Sequence, residues 1–312
     1  GFDAPQVASL IRDATVMADS NTLRVFPDHE TVLDMPFAMR TNLYRYLATQ
    51  PGNEHFRQPI YINSENLSEW FDGSQVPRAA IQDIAKLAFP TPRGRGYYLC
   101  DLPFTLRQAN SAAEERQLIR GLLRSRALIV RIRLSQDMPL AEIASYWRAD
   151  YKNKAVLPIL ESALMADESL ALDITHLLPA TPRQYLNCFP TLADGINGRF
   201  PDWFWTCYNF FQFTPVDVYA DSPERDALIQ SEFTPTLPPL QFGDMLLLNS
   251  GPKAIHGCIY IADDIVFTKN GADLFSPWVL MNLGDVVAHH DRFGDVTISA
   301  HRRISSDESG TP

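Results

Sequence analysis

Along this chain the apolar positions keep a helical rhythm through much of the first half and gather into short strand-like runs through much of the last third. Val7, Leu10, Ile11 and Val16 recur at roughly helical spacing and predict a first helix over Pro5–Asp19. Further helices are expected over residues 38–50, from Pro77 to Leu87, over 104–125, around 139–151 and around 154–171. Ser64–Phe71 reads as a capped helix start. Ile60–Asn63, Tyr97–Cys100 and Ala127–Leu134 are short extended runs between these helices. In the last of them Arg131 and Arg133 alternate with apolar neighbours, as on the solvated face of a sheet. Leu178–Pro182 and Phe189-Pro190 then break the periodicity, so a domain boundary is expected near residue 178.

Beyond that boundary one helix is predicted, beginning near Thr206, and strands dominate. They are expected over Gly243–Asn249, Ala254–Ala262, Ile265–Lys269, Trp278–Leu283, Asp285–His289 and Asp295–Arg302. A helix packed on an antiparallel meander makes this part an α+β unit. The expected organisation is thus a mixed, mostly helical N-terminal domain over 1–178, a second domain over 179–304 and a disordered polar tail over 305–312.

Composition narrows the function classes. At 312 residues the chain exceeds the roughly 250 at which single cores stop growing, which favours two domains. Its net charge of −10, concentrated from about residue 181 onward, argues against a nucleic-acid partner. No apolar run reaches the roughly 18 residues of a membrane span. The chain opens on Gly1-Phe2-Asp3-Ala4-Pro5 without an initiator methionine, an opening expected of a protein trimmed after a signal sequence and so periplasmic or secreted. Cys100, Cys188, Cys207 and Cys258 are too few and scattered for a disulfide framework, although export would permit a Cys100–Cys188 bridge. Arg93-Gly94-Arg95-Gly96 lacks the Gly-Lys-Ser/Thr ending and the following helix of a phosphate loop, so it reads as a turn.

Chemistry converges on Cys207 and His256. Thr206 is the expected N-cap, which would place Cys207 in the first helical turn, where the helix dipole favours thiolate and free amides can hold an oxyanion. An imidazole on a neighbouring strand would take the thiol proton and return it to a leaving amine. Set against this, a cysteine among Trp203, Phe204, Trp205, Tyr208, Phe210 and Phe211 also reads as a core residue. Cys258 reads as packing and Asp244 as closing a turn or pairing locally. His289-His290-Asp291 invites a metal, but on the expected strand the two imidazoles would point to opposite faces.

The order of these pieces carries a resemblance. Cys207 at a helix start, Gly243-Asp244 opening a strand and His256-Gly257-Cys258-Ile259-Tyr260-Ile261 on the next resemble the NlpC family of papain-like cysteine peptidases and amidases. The likeness covers about the last 110 to 130 residues. It implies a papain-like C-terminal domain, hydrolysis of an amide or peptide bond in cell-wall peptidoglycan through an acyl-enzyme on Cys207, and no cofactor. Alternatives are acyl transfer to a lipid or amine acceptor, or a non-catalytic envelope-binding protein with a degenerate site. Two departures stand out: Tyr208-Asn209 replaces the small residues that usually follow the cysteine, and position 268, where the family commonly has its second histidine, is threonine.

Hairpin geometry bears on the third catalytic residue. A three-residue loop after Ala262 would put Thr268 and Asn270 on the face of His256, whereas a two-residue Asp263-Asp264 turn would put Lys269 there. Asn270 is the expected orienter of the imidazole, weighed against a plain Asn270-Gly271 turn. Tyr208, Trp205, Thr268 and Lys269 are the candidate substrate-binding residues.

Overall fold

The computed structural model describes residues 4–304 apart from 13, 20–21, 52, 54–55, 57–58, 92–93, 136, 150–151, 167–168, 196–197 and 291–294. The expected tail over 305–312 and Asp291 lie outside the described residues. The chain divides into two compact units, Gly1–Arg124 and Ser125–Pro312.

The first unit contains α1 (Ala4–Arg12), β1 (Thr15–Asp19), β2 (Thr22–Phe26), α2 (His29–Leu33) and α3 (Phe37–Leu47). It continues through β3 (Ile60–Ile62), α4 (Leu67–Trp70), α5 (Arg78–Leu87), β4 (Phe89–Pro90), β5 (Tyr97–Leu99), α6 (Leu102–Arg107) and α7 (Ala112–Leu122). Strands β3, β5 and β4 form one small sheet and β1–β2 an antiparallel pair. The expected first helix therefore stops at Arg12, because β-branched Thr15 and Val16 open a strand instead. The helix expected over 104–125 is two helices. Between them Ser111 accepts from the Glu114 amide at 3.2 Å and caps the second. Ile62, Ile84, Leu99, Leu118 and Leu122 are fully enclosed, and the Trp70 Nε1–H donates to the Gly121 carbonyl at 2.9 Å. A buried polar cluster adds to this core: the Tyr44 hydroxyl donates to Asp101 at 2.5 Å, and burial raises the Asp101 carboxyl to about 6.

The second unit begins 53 residues or so earlier than the Pro-rich break suggested. It contains β6 (Arg131–Ser135), α8 (Leu140–Arg148), α9 (Val156–Ala166), β7 (Ser169–Asp173), α10 (Ala180–Tyr185), α11 (Trp203–Tyr208) and α12 (Arg225–Glu232). Then follow β8 (Phe233–Thr236), β9 (Met245–Ser250), β10 (Lys253–Ala262), β11 (Ile265–Lys269), β12 (Trp278–Asn282), α13 (Leu283–His290) and β13 (Thr297–Arg303). The expected boundary near 178 is corrected by packing. Leu134, Trp147, Val156, Leu160 and Leu177 join the same core as the aromatic residues of α11, and the Leu128 amide donates to the Leu280 carbonyl at 2.8 Å. The proline-rich stretch leads into α10 inside this unit, with Pro179 as its N-cap and Pro182 in its first turn.

Its main sheet has the order β12-β11-β10-β9-β13-β8 with antiparallel pairing throughout the described strands. The meander is as expected, but β13 returns to pair with the far side of β9. The strand expected over Asp285–His289 is instead the helix α13. Val286, Val287 and Ala288 are buried in succession, a short apolar run whose period does not distinguish helix from strand.

The two faces of this sheet carry different residues. Met245, Leu247, Ile259, Phe267 and Leu280 belong to the core that holds α11. Leu246, Leu248, Cys258, Val266, Val279 and Met281 pack with Val286 and Val287 of α13. Strand alternation thus makes β10 a boundary between two cores. Asp244 is buried at the start of β9, where it accepts from Arg302 Nε and Nη2, both at 2.8 Å, and from the Gln241 amide at 2.7 Å.

Candidate functional site

Helix α11 is short and begins earlier than expected. Its N-cap is Asp202, whose Oδ1 accepts from the Phe204 and Trp205 amides at 2.9 and 3.0 Å and whose Oδ2 accepts from the Ala220 amide at 2.6 Å. Thr206, the expected cap, lies inside the helix. Its Oγ1 donates to the Asp202 carbonyl at 2.7 Å and accepts from Trp278 Nε1 at 2.9 Å. Cys207 is consequently the fifth of six helical residues. The free amides and positive dipole end that would favour a thiolate lie at the opposite end of the helix. Burial pushes the Cys207 thiol well above its usual range, with Cys258 and the Asp202 carboxylate adding to the effect.

His256 sits on β10 and is likewise buried. The adjacent residue shows which way it turns. A methyl group at Gly257 would meet the Trp203 ring at 2.7 Å, so Gly257 faces α11. Alternation turns His256 to the α13 face, where its ring stacks on His290 at a centroid distance of 3.9 Å. Among the described residues no hydrogen bond joins Cys207 to His256.

On that second face the imidazole has a partner. His256 Nε2 lies 2.9 Å from Thr268 Oγ1, and that hydroxyl donates to Asn270 Oδ1 at 3.1 Å. A threonine hydroxyl has one proton, and here Asn270 receives it. Thr268 therefore accepts from the ring, which places the proton of the neutral imidazole on Nε2. Asn270 does not meet the ring itself; it stands one hydrogen bond behind Thr268, with its Nδ2 donating to Met281 Sδ at 3.1 Å.

The hairpin reaches this arrangement by an unexpected route. Ala262 pairs with Ile265, so the turn is the two-residue Asp263-Asp264, with Asp263 at φ 53°. A bulge between Tyr260 and Ala262 then shifts the register by one, and Tyr260 pairs with Val266. Thr268 and Asn270 recover the face of His256, and Lys269 falls on the other.

The remaining candidates are packed in the α11 core. Lys269 donates to the Gly271 carbonyl at 2.5 Å and the Asp273 carbonyl at 3.0 Å, and its ammonium lies 5.4 Å from the Trp278 ring. Burial lowers it to about 8, opposed by Asp273 and Asp202. Trp205 packs edge-on against Tyr185 at 5.4 Å and beside Trp278 at 5.8 Å. Tyr208 hydrogen-bonds Glu232 beneath the Arg303 guanidinium. All three are buried, Lys269 completely. The four cysteines are free thiols. Among the described residues no group of three or more His, Cys, Asp or Glu is placed to hold a metal ion, and no helix is long and apolar enough to cross a membrane.

His290 is the neighbour that sequence reasoning missed. The doublet His289-His290 was visible, but as a strand it pointed elsewhere. Its helical placement and the stacked ring make a charge on His256 costly: burial first, and the nearby His289 second, lower His256 to about 3. An unfolded histidine titrates near 6.5, so the folded unit resists a proton that the unfolded chain accepts. The contribution of this group is full well above pH 6.5 and is expected to decline as pH falls toward 3, by about 2–3 kcal/mol at pH 4.5. Urea unfolding of wild type and His256→Gln from pH 7.5 to 4.5 should show the steeper loss in wild type; parallel curves would remove His256 as its source.

Comparison with protein-family models, with curated proteins and with solved structures finds no match to this chain.

Proposed function

We propose that the second unit is a binding unit built on the plan of a papain-like thiol hydrolase, with Cys207 serving as a core residue and cell-wall peptide as the class of partner. The observation that supports this reading is that the His256 ring stacks on His290 of α13 at 3.9 Å and keeps only a 6.4 Å ring contact to Trp203 of α11, while Cys207 packs in the α11 core. A working pair needs sulfur and ring nitrogen within hydrogen-bond reach, with the thiol ionised or readily deprotonated. Here the thiol is buried near the C-terminal end of a six-residue helix and the imidazole is held neutral by its surroundings. The partner class comes from the resemblance of the Cys207, Gly243-Asp244 and His256 segments to the NlpC family.

A second reading keeps the thiol hydrolase, or an acyltransferase using a lipid or amine acceptor. The relay from His256 through Thr268 to Asn270 favours it, because a fixed Nε2–H leaves Nδ1 as a base. It would require α11 to rearrange before Cys207 met the ring.

Peptidoglycan fragments incubated with wild type and Cys207→Ala, with and without an added amine acceptor, separate the readings by mass spectrometry of products. Co-sedimentation with intact sacculi measures binding in parallel. We expect both proteins to sediment equally and neither to alter the fragments. Turnover that disappears with Cys207 would overturn the binding-unit reading in favour of catalysis, and failure of both proteins to sediment would remove the cell wall as partner.

A further inference from the structure

A concavity of the second unit lies apart from Cys207 and His256, between α8 and the Gly243 end of β9. It encloses about 350 Å³, at the small end of ligand sites. Glu142, Ser145, Tyr146 and Ala149 line it at helical spacing, as one face of α8 and its C-cap. Phe242 also lines it but is itself buried against Trp147 at 4.9 Å. The half-buried rings of Tyr146 and Phe211 are therefore the aromatic surface left for a ligand. Both are held in place. The Tyr146 hydroxyl donates to the Ile261 carbonyl at 2.7 Å, and Phe211 meets Phe242 edge to face at 6.0 Å.

Charge around this cavity is already balanced. Arg302 is paired with Asp244 and Arg303 with Glu232. Lys152 is anchored to the Arg303 carbonyl at 3.3 Å, and Glu142 brings a carboxylate to the same lining. A charged ligand would therefore give up its hydration without meeting an unbalanced opposite charge. A wholly apolar one would strip water from Glu142 and from the Asp244–Arg302 pair with nothing to replace it. The rim does have hydrogen-bonding capacity to spare. Glu142, Ser145 and Gln241 are exposed, and among the described residues none of these side chains makes a hydrogen bond.

We infer that this cavity binds one uncharged sugar ring, its apolar C–H face against Tyr146 and Phe211 and its hydroxyls on Glu142, Ser145 and Gln241. A pyranose suits both halves of the lining. Its C–H bonds meet the electron-rich faces of the aromatic rings, and its hydroxyls donate to a carboxylate and exchange hydrogen bonds with a hydroxyl and an amide. The inference goes beyond the cell-wall reading and holds whether or not Cys207 reacts.

The test is saturation-transfer NMR on the full chain at neutral pH, with methyl β-D-glucopyranoside as the probe. Saturable binding is expected, and the protons of one ring face should receive more saturation than those of the other. Ser145→Trp, which fills the cavity from the exposed side of α8, should weaken binding about tenfold or more. Glu142→Ala and Gln241→Ala should each weaken it about threefold or more, with thermal unfolding unchanged at these exposed positions. Glucuronate and cyclohexanol should each bind about tenfold or more weakly than the probe. Absence of saturable binding would overturn the inference, and indifference to all three substitutions would place the probe elsewhere and overturn it equally. Equal saturation of both faces would remove the stacking on Tyr146 and Phe211. Equal binding of glucuronate would overturn the uncharged class, and equal binding of cyclohexanol would reduce the site to an apolar pocket.

Discussion

Asp244→Ala is expected to destabilise the second unit by roughly 2–3 kcal/mol, less than for a fully buried ion pair stripped of one partner because the Arg302 side chain is 32% exposed. Asp244 accepts from Arg302 Nε and Nη2 and from the Gln241 amide, so its removal takes one carboxylate away from both. Because β13 carries Arg302 and β9 begins beside Asp244, the pair also fastens the returning strand to the meander. Urea unfolding followed by tryptophan fluorescence measures the loss. A paired replacement, Asp244→Asn with Arg302→Met, should recover much of it, since the main penalty is a less balanced charge rather than a missing attraction. A loss below about 1 kcal/mol in Asp244→Ala would mean that the fork is a surface contact in solution.

Gly243→Ala is the second large effect, expected at about 2–4 kcal/mol. Two independent constraints meet at this residue. Its φ of +91° is a conformation that side-chain-bearing residues rarely adopt, and a methyl group would lie 2.3 Å from the Phe211 ring. Phe211 is wedged against Phe210 and Phe242, so its ring has little freedom to retreat. Thermal unfolding reads the loss, and Phe211→Leu in the same background should restore part of it by relieving the contact while leaving the backbone strain. Full restoration would assign the whole effect to the ring, and none would assign it to φ.

The α+β class and the strands of the C-terminal meander were legible because short continuous apolar runs are bounded by Gly, Asn, Asp and Pro turn residues; Ile265–Lys269 was delimited to the residue. Gly243-Asp244 was legible as a structural opener, and its role as half of an ion pair needed only the distant Arg302. What the chain concealed were choices made by tertiary packing. Asp202 outcompeted Thr206 as cap because its second oxygen also reaches the Ala220 amide, a contact 18 residues away that no local pattern displays. Residues 125–178 carried their own helical periodicity and so looked like part of the first domain, yet their apolar faces are spent on Phe242 and the α11 aromatics. The candidate pair suffered most from this. Cys207 and His256 have the right residue types, but Gly257 admits Trp203 on the α11 face while the neighbouring His256 ring stacks on His290.

The bulge beside Tyr260 has a consequence of its own. Which side chain keeps company with the buried imidazole is determined by counting, not by recognition: the residues at 268, 269 and 270 take turns as the hairpin is lengthened or shortened by one. With the extra residue in β10, a hydroxyl and an amide stand by the ring and an ammonium is sent to the aromatic side. Without it, Lys269 would arrive beside His256, and a neutral site would become a cationic one with no substitution at any of the three positions. Single-residue insertions and deletions in this hairpin are therefore a shorter path to new chemistry at His256 than point changes are.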